Sequence, residues 1–285
     1  MRGLKLEKGR YGKRVVITAA WSEEMGQLIR RHGVVELDLN SAKGWRGTDL
    51  SFLATVPHLL SLQLTAHTIT TVAPIHCLHE LRTLELTTHC RNNVDFAAFP
   101  NLEACVLVEW APGLESVFDR LTLRDLYVYN YRGPTAPFGR LVNLERLSLM
   151  VGGISEIDGL RALGKLRYLR LGGLNRLRSL NGLEGLVSLE QLWLQGCGHI
   201  GSIDKLSGLA QLRRVSLDDC GPIGSLRPLQ DLAALERVSF IESTDIVDGD
   251  LACLERRPRV SLVYMGRPHY VHEPLGFRRL FSLRW

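Results

Sequence analysis

LERLSL (144–149), LRYLRL (166–171), LEQLWL (189–194) and LRRVSL (212–217) are four copies of one pattern, LxxLxL, set 22, 23 and 23 residues apart. Outward from these, the pattern runs back through LRDLYV at Leu123, LEACVL at Leu102, LRTLEL at Leu81 and LLSLQL at Leu59, and loosely to VVELDL at Val34. Forward, it passes LERVSF at Leu235 and reaches a degenerate RPRVSL at Arg257. From Leu59 onward the starts stay 21–23 residues apart. A fixed period of this kind marks a stacked repeat and overrides local readings of secondary structure. Within each copy the fourth and sixth residues are apolar and alternate with polar ones, which predicts a strand with one buried face. A single such strand cannot bury its apolar side, so neighbours must stack and share a continuous core.

The second half of each unit also recurs. ISEIDGLRALGKL (154–166) and IGSIDKLSGLAQL (200–212) share the form IxxIxxLxxLxxL. Together the two half-patterns resemble the leucine-rich-repeat family, in its short internalin-like bacterial class, over residues 34–265. The resemblance implies an α/β horseshoe solenoid with a curved parallel β-sheet on its concave face and short turns or helical pieces on its convex face. Gly159, Gly185, Gly208 and Pro228 interrupt anything longer on that convex side. The family resemblance further implies a bacterial protein that binds other proteins, with a toxin- or effector-neutralising role as one version of that expectation.

An open stack needs covered ends. Leu4–Glu7 and Arg14–Thr18 flank Lys8–Gly12 and predict a hairpin. Ser22 is placed to cap a helix running through Arg31, with Glu23 and Glu24 in its first turn and Gly33 as its stop. The expected division is therefore 1–33 as an N-terminal cap, 34–265 as the solenoid and 266–285 as a basic C-terminal cap or tail.

Composition narrows the class of protein. Among 285 residues, 45% are hydrophobic and 23% charged, which is ordinary for a folded globular chain. No apolar run reaches the roughly 18 residues a membrane span requires. The basic start, MRGLKLEKGRYGKR, lacks the apolar stretch of a secretion signal, so the expectation is a cytoplasmic protein without a membrane. The net charge of +5 is unevenly spread. Residues 1–14 carry six Lys or Arg against one acid and residues 256–285 carry seven Arg against one, which leaves 15–255 at −6. Basic ends on an acidic body argue against nucleic acid as the partner, although that remains the alternative reading through the termini and a concave arginine stripe.

Candidate chemistry is sparse. The six cysteines, Cys77, Cys90, Cys105, Cys197, Cys220 and Cys253, form no CxxC pair of the kind zinc sites use. Cys197 and Cys220 fall three residues after a strand leucine, in a column that reads Ala42, His67, His89, Trp110, Tyr131, Gly152, Leu174, Cys197, Cys220 and Ser243. A ladder of groups satisfying the turn backbone, with free thiols, is expected there. His76, Cys77 and His79 make a metal cluster on paper, but they flank the core positions Ile75 and Leu78 and so should face outward. His269, His272 and Glu273 lie between Pro268 and Pro274, where a capping role is expected. The Gly-Gly pairs at 152–153 and 172–173 are expected turn glycines. With no GxSxG, HExxH or P-loop pattern, no enzyme activity, cofactor or metal is expected.

Three side chains per strand should project onto the concave face. In the first three repeats they are ordinary polar residues, namely Glu36, Asp38 and Asn40, then Ser61, Gln63 and Thr65, then Thr83, Glu85 and Thr87. Further on they become apolar, aromatic and cationic. The candidate partner-binding residues are Val106, Val108, Tyr127, Tyr129, Arg146, Met150, Tyr168, Arg170, Trp193, Arg214 and Asp218, with Trp193 near the centre. Aromatic residues and Arg are the enriched groups of binding hot spots, and exposed apolar surface marks an interaction site. The expected partner is another protein, held by a monomer or weak oligomer.

Overall fold

A computed structural model describes residues 3–88, 94–254, 257 and 259–270, together with the backbone of Arg278–Arg279. His89 and Cys90 of the sequence reading, and His272 and Glu273, lie outside the described residues. The chain forms two compact units, Met1–Tyr129 and Asn130–Trp285.

The first unit opens with strands β1 (Leu4–Lys8) and β2 (Lys13–Ile17), paired antiparallel, and helix α1 (Glu23–Arg31). Met25 and Ile29 of α1 are buried, and Gly33 follows the helix with φ +60°. Ser22 occupies the cap position, but its side chain makes no capping hydrogen bond. Strand β2 then pairs in parallel with β3 (Val34–Asn40), the first repeat strand. β4 (Ser61–Thr65), β5 (Thr83–Thr87), β6 (Ala104–Val108) and β7 (Asp125–Tyr131) follow, each parallel to its predecessor, with Asn130 and Tyr131 of β7 counted in the second unit. The register joins Leu37, Leu62, Leu84, Cys105 and Leu126 into one inward row, as the LxxLxL alignment requires.

The second unit repeats the design with β8 (Arg146–Gly152), β9 (Tyr168–Gly172), β10 (Gln191–Gln195) and β11 (Arg214–Asp218). After β11 come the short β12 (Pro222–Ile223), β13 (Arg237–Ile241), the short β14 (Asp245–Ile246), β15 (Ser261–Tyr264) and β16 (Arg278–Arg279). Among the described residues, β12 and β14 pair only with each other, in parallel. Leu169, Leu192 and Val215 are paired in consecutive parallel strands and are buried.

The returning half of each repeat is built from 3₁₀ turns such as Ala73–Cys77, Glu115–Asp119, Asp158–Ala162 and Asp204–Leu206. A 3₁₀ helix has about three residues per turn, so the three-residue spacing of IxxIxxLxxLxxL keeps its apolar side chains on one side. Ile200, Ile203, Leu206, Leu209 and Leu212 are accordingly all buried.

The last repeat corrects the sequence register. RPRVSL aligned Val260 with Val238, whereas the strands pair Leu262 with Val238 and Tyr264 with Phe240. The slip is two residues, so every side chain keeps its face, and alternation alone could not distinguish the two registers. Beyond β15, Tyr270 is buried against the Phe240 and Tyr264 rings. Its hydroxyl donates to Asp245 Oδ1 and accepts from the Ile246 N–H. His269 Nε2 lies 3.0 Å from the Ile246 carbonyl oxygen.

Candidate functional site

Alternation along each strand sets which side chains can do chemistry: the fourth- and sixth-position residues face the core, and the residues between them face outward. In the second unit the register makes three outward rows. The first holds Arg146, Tyr168, Gln191, Arg214 and Arg237; the second Ser148, Arg170, Trp193, Ser216 and Ser239; the third Met150, Gly172, Gln195, Asp218 and Ile241.

Trp193 is 37% exposed, while Leu192 and Leu194 on either side of it are 0% exposed. The indole therefore stands on a rigid strand between Arg170 and Ser216. Arg170 Nη2 donates to Gln195 Oε1 at 2.7 Å, which holds that guanidinium across the strands beside the indole. The Arg146 guanidinium lies 4.5 Å from the centre of the Tyr168 ring, a cation–π contact that leaves Tyr168 half-buried. Met150 folds over Gly172, where a Cβ would come 2.3 Å from Met150 Cε. Gly172 is thus a seat for the thioether, and the turn conformation belongs to Gly173, at φ +63°. In the pair 152–153 the left-handed residue is Val151, ahead of both glycines.

Asp218 stands in the third row between Gln195 and Ile241, at the end of β11. Its Oδ2 accepts from Ser216 Oγ at 2.8 Å, and its Oδ1 is buried without a hydrogen-bond partner. Burial raises its carboxyl pKa, against the lowering effects of Ser216 and Arg170. Ser216 Oγ also lies 2.8 Å from Ser239 Oγ.

The eleven candidates divide between the units. Val106, Val108, Tyr127 and Tyr129 belong to the first, where all four are half-buried, and the other seven belong to the second. Val106 and Tyr127 continue the outward row Asp38, Gln63, Glu85.

That row is where the sequence reading needs its largest correction, because its polar residues are not ordinary solvent-facing ones. The β1–β2 turn folds over the outward face of β3, β4 and β5. The Tyr11 N–H donates to Glu36 Oε1, and the Tyr11 hydroxyl lies 3.0 Å from Thr83 Oγ1. Arg14 Nη2 donates to Asp38 Oδ2 at 2.6 Å and also to Gln63 Oε1, while Lys43 Nζ reaches the same Asp38 oxygen at 2.7 Å. Asp38 is completely buried beneath these groups. Burial pushes the Glu85 carboxyl above the usual carboxylate range, with Arg14 and Lys43 working against the rise and Asp38 adding to it. The excess of positive charge in residues 1–14 was the signal available in the sequence, but only the folded hairpin brings it onto this face.

The cysteine ladder is present with three further corrections. Cys197 Sγ donates to the Leu171 carbonyl oxygen at 3.6 Å and Cys220 Sγ to that of Asp218 at 3.5 Å. Burial raises both thiols, Cys220 to about 12, so at neutral pH they are protonated and poorly nucleophilic. In the next repeat the rung is Thr244, not Ser243. Thr244 Oγ1 is buried, donates to the Leu217 carbonyl oxygen at 2.6 Å and accepts from the Cys220 N–H at 2.9 Å, whereas Ser243 is exposed. Likewise Ala66 is buried where His67 was expected, and Ala42 is exposed.

His76 Nε2 accepts from the Asp95 N–H at 3.0 Å, His79 Nδ1 lies 3.0 Å from the Ala98 carbonyl oxygen and Cys77 Sγ donates to that of Pro74. Each group is thus engaged with backbone, and burial raises the Cys77 thiol. Among the described residues no group of three or more His, Cys, Asp or Glu side chains is arranged to hold a metal ion. None of the described helices is long and apolar enough to cross a membrane.

No protein-family model and no curated protein matches the sequence. Solved structures do match. An internalin (inlF) of Listeria monocytogenes superposes with a TM-score of 0.71 at 21% identity, over 88% of this chain and 73% of that one. A leucine-rich-repeat protein of Leptospira interrogans gives 0.58 at 15% identity, over 89% and 77%. Internalin C2 of Listeria monocytogenes gives 0.54 at 21%, over 66% and 83%.

Proposed function

Starting from the leucine-rich-repeat fold that this chain has, we propose that it is a non-enzymatic protein-binding module whose partner lies on the outward, concave face of the sheet, with Trp193 as an anchor. The observation that carries the reading is the half-exposed indole on a strand whose neighbouring residues are fully buried. A large apolar group held rigidly toward solvent loses little conformational entropy on binding and gains its burial energy only when a partner covers it. Tyr168, Met150 and Arg170 lie within a strand or two of it and supply the mixed apolar and cationic surface that protein interfaces favour. Internalin-like repeats suggest a bacterial effector or toxin as the partner, met in the cytoplasm by a monomeric chain.

Nucleic acid is the poorer reading because phosphate binding calls for cations along a continuous track. Arg146 is spent on the Tyr168 ring, Arg170 on Gln195, and Gln191 separates Tyr168 from Arg214 in their row.

The test is to recover a partner with the full chain and measure its affinity and the melting temperature for two variants. Trp193→Ala should weaken binding by about 2 kcal/mol, roughly thirtyfold, and leave the melting temperature nearly unchanged. Leu192→Ala should cost about 2–5 kcal/mol of stability as a core deletion. Unchanged affinity for Trp193→Ala would remove the anchor, and a steep loss of melting temperature would make Trp193 a core residue.

A further inference from the structure

Resting on that reading, we infer that the partner presents an acidic segment, its carboxylates meeting the Arg214–Arg237 pair while an apolar side chain seats on Trp193. The pair is built oddly for a soluble sheet. Arg214 and Arg237 are in register on adjacent parallel strands, β11 and β13, which places their backbones about 4.8 Å apart. Like charges directly opposite one another are unfavourable. Both side chains are exposed, and among the described residues neither has an ion pair or a side-chain hydrogen bond.

The neighbouring column shows that the repeats do supply acids to arginines. One residue earlier in the pattern, Arg167 pairs with Glu190 at 2.7 Å and Arg213 with Glu236 at 2.9 Å. Among the described residues, the Arg214–Arg237 column receives no such acid. The carboxylate in the second unit's outward rows is Asp218, at the far end of β11, where Ser216 holds it; in the turn that follows, Asp219 is held by Ser243. β11 is therefore polarised, with the Arg214 guanidinium where the strand begins and the Asp218 carboxylate where it ends. One residue earlier in the pattern, a cleft of about 490 Å³ is lined by Arg213, Arg257 and Arg259, with Glu236 the one acid among its described lining residues. Two unanswered guanidinium groups side by side fit carboxylates with charge-assisted, forked hydrogen bonds, and Trp193 lies diagonally beside Arg214 on the adjacent strand.

The experiment is selection of a random dodecapeptide phage library on the full chain, followed by affinity measurement of selected peptides as synthetic free peptides. Selected sequences should be rich in Asp and Glu with one large apolar residue. Arg214→Ala/Arg237→Ala should weaken them roughly tenfold or more, with a loss that shrinks as salt is raised. Trp193→Ala should weaken them independently, and all variants should keep the wild-type melting temperature. Peptides that lose affinity with Trp193→Ala but not with the arginine pair would overturn this inference and leave the binding-face reading standing. Peptides indifferent to all three changes would overturn both. Inorganic phosphate competing as well as the peptides, or a 20-base-pair duplex binding more tightly through the same arginines, would also overturn it, by making the pair a phosphate site.

Discussion

Val151 has φ +50°, a left-handed backbone conformation that a β-branched residue adopts only under constraint. It belongs to a column of left-handed residues two places after the last inward residue of each strand from β6 to β11 and of β13, shared by Glu109, Asn130, Gly173, Gly196, Asp219 and Glu242. The chain must turn out of the sheet there, and glycine meets the demand without strain only at 173 and 196. The Val151 side chain is 41% exposed, so it loses little packing if removed. Val151→Gly should relieve about 1–2 kcal/mol of left-handed strain and lose about 0.5–1 kcal/mol to the greater freedom of the unfolded chain. The expected outcome is a slight gain in stability, about 0.5 kcal/mol in chemical denaturation. A destabilised variant would contradict the strain at this turn.

Among the elements, the turn-facing groups Cys197 and Thr244 each tie their repeat to the one before it. Thr244 serves two buried backbone groups, the Leu217 carbonyl and the Cys220 N–H. Thr244→Val preserves its shape and removes both hydrogen bonds, so it should cost about 1–3 kcal/mol, because buried polar groups left unpaired carry their full desolvation penalty. Ser243→Ala, at an exposed position, should stay within about 0.5 kcal/mol of the parent. Thermal melts of the two variants check the register directly. The reverse ranking would restore the rung to Ser243, where counting three residues from Phe240 puts it. That count fails because β13 is followed by one more turn residue than β11 before the chain turns inward.

Across the whole molecule, charge and repeat geometry act together. The N-terminal hairpin lays Tyr11 and Arg14 over strands two and three repeats onward in sequence, so a local segment sets the electrostatics of a wide sheet face. Glu85 is the acid that this arrangement penalises. Its folded pKa lies above its unfolded one, so the folded state holds the proton more tightly and stability falls as pH rises through the unfolded value towards the folded one. The penalty is fully present above the folded pKa and absent in acid below the usual carboxylate range. Glu85→Gln should therefore raise the melting temperature at pH 7, with the gain disappearing as the pH falls to about 4. A gain independent of pH would mean that burial of charge is not its cause.

The repeat, the strand faces and the buried rows through Leu169, Leu192 and Val215 follow from the sequence alone, because period and alternation leave only one way to bury so many leucines. The outward position of Trp193 follows from the same alternation. What the tertiary structure decided is where alternation is blind or chain-distant groups meet. A two-residue slip at β15 keeps every face, so no pattern reveals it. The rung at Thr244 depends on the path of a turn, which a fixed count cannot follow. The burial of Asp38 under Arg14 and Lys43 depends on a hairpin folding over a sheet, and a polar residue reads as solvent-exposed in sequence until the group that covers it is placed. The unanswered state of Arg214 and Arg237 is of the same kind: every repeat carries charge, and only the register shows which arginines have an acid opposite and which have one another.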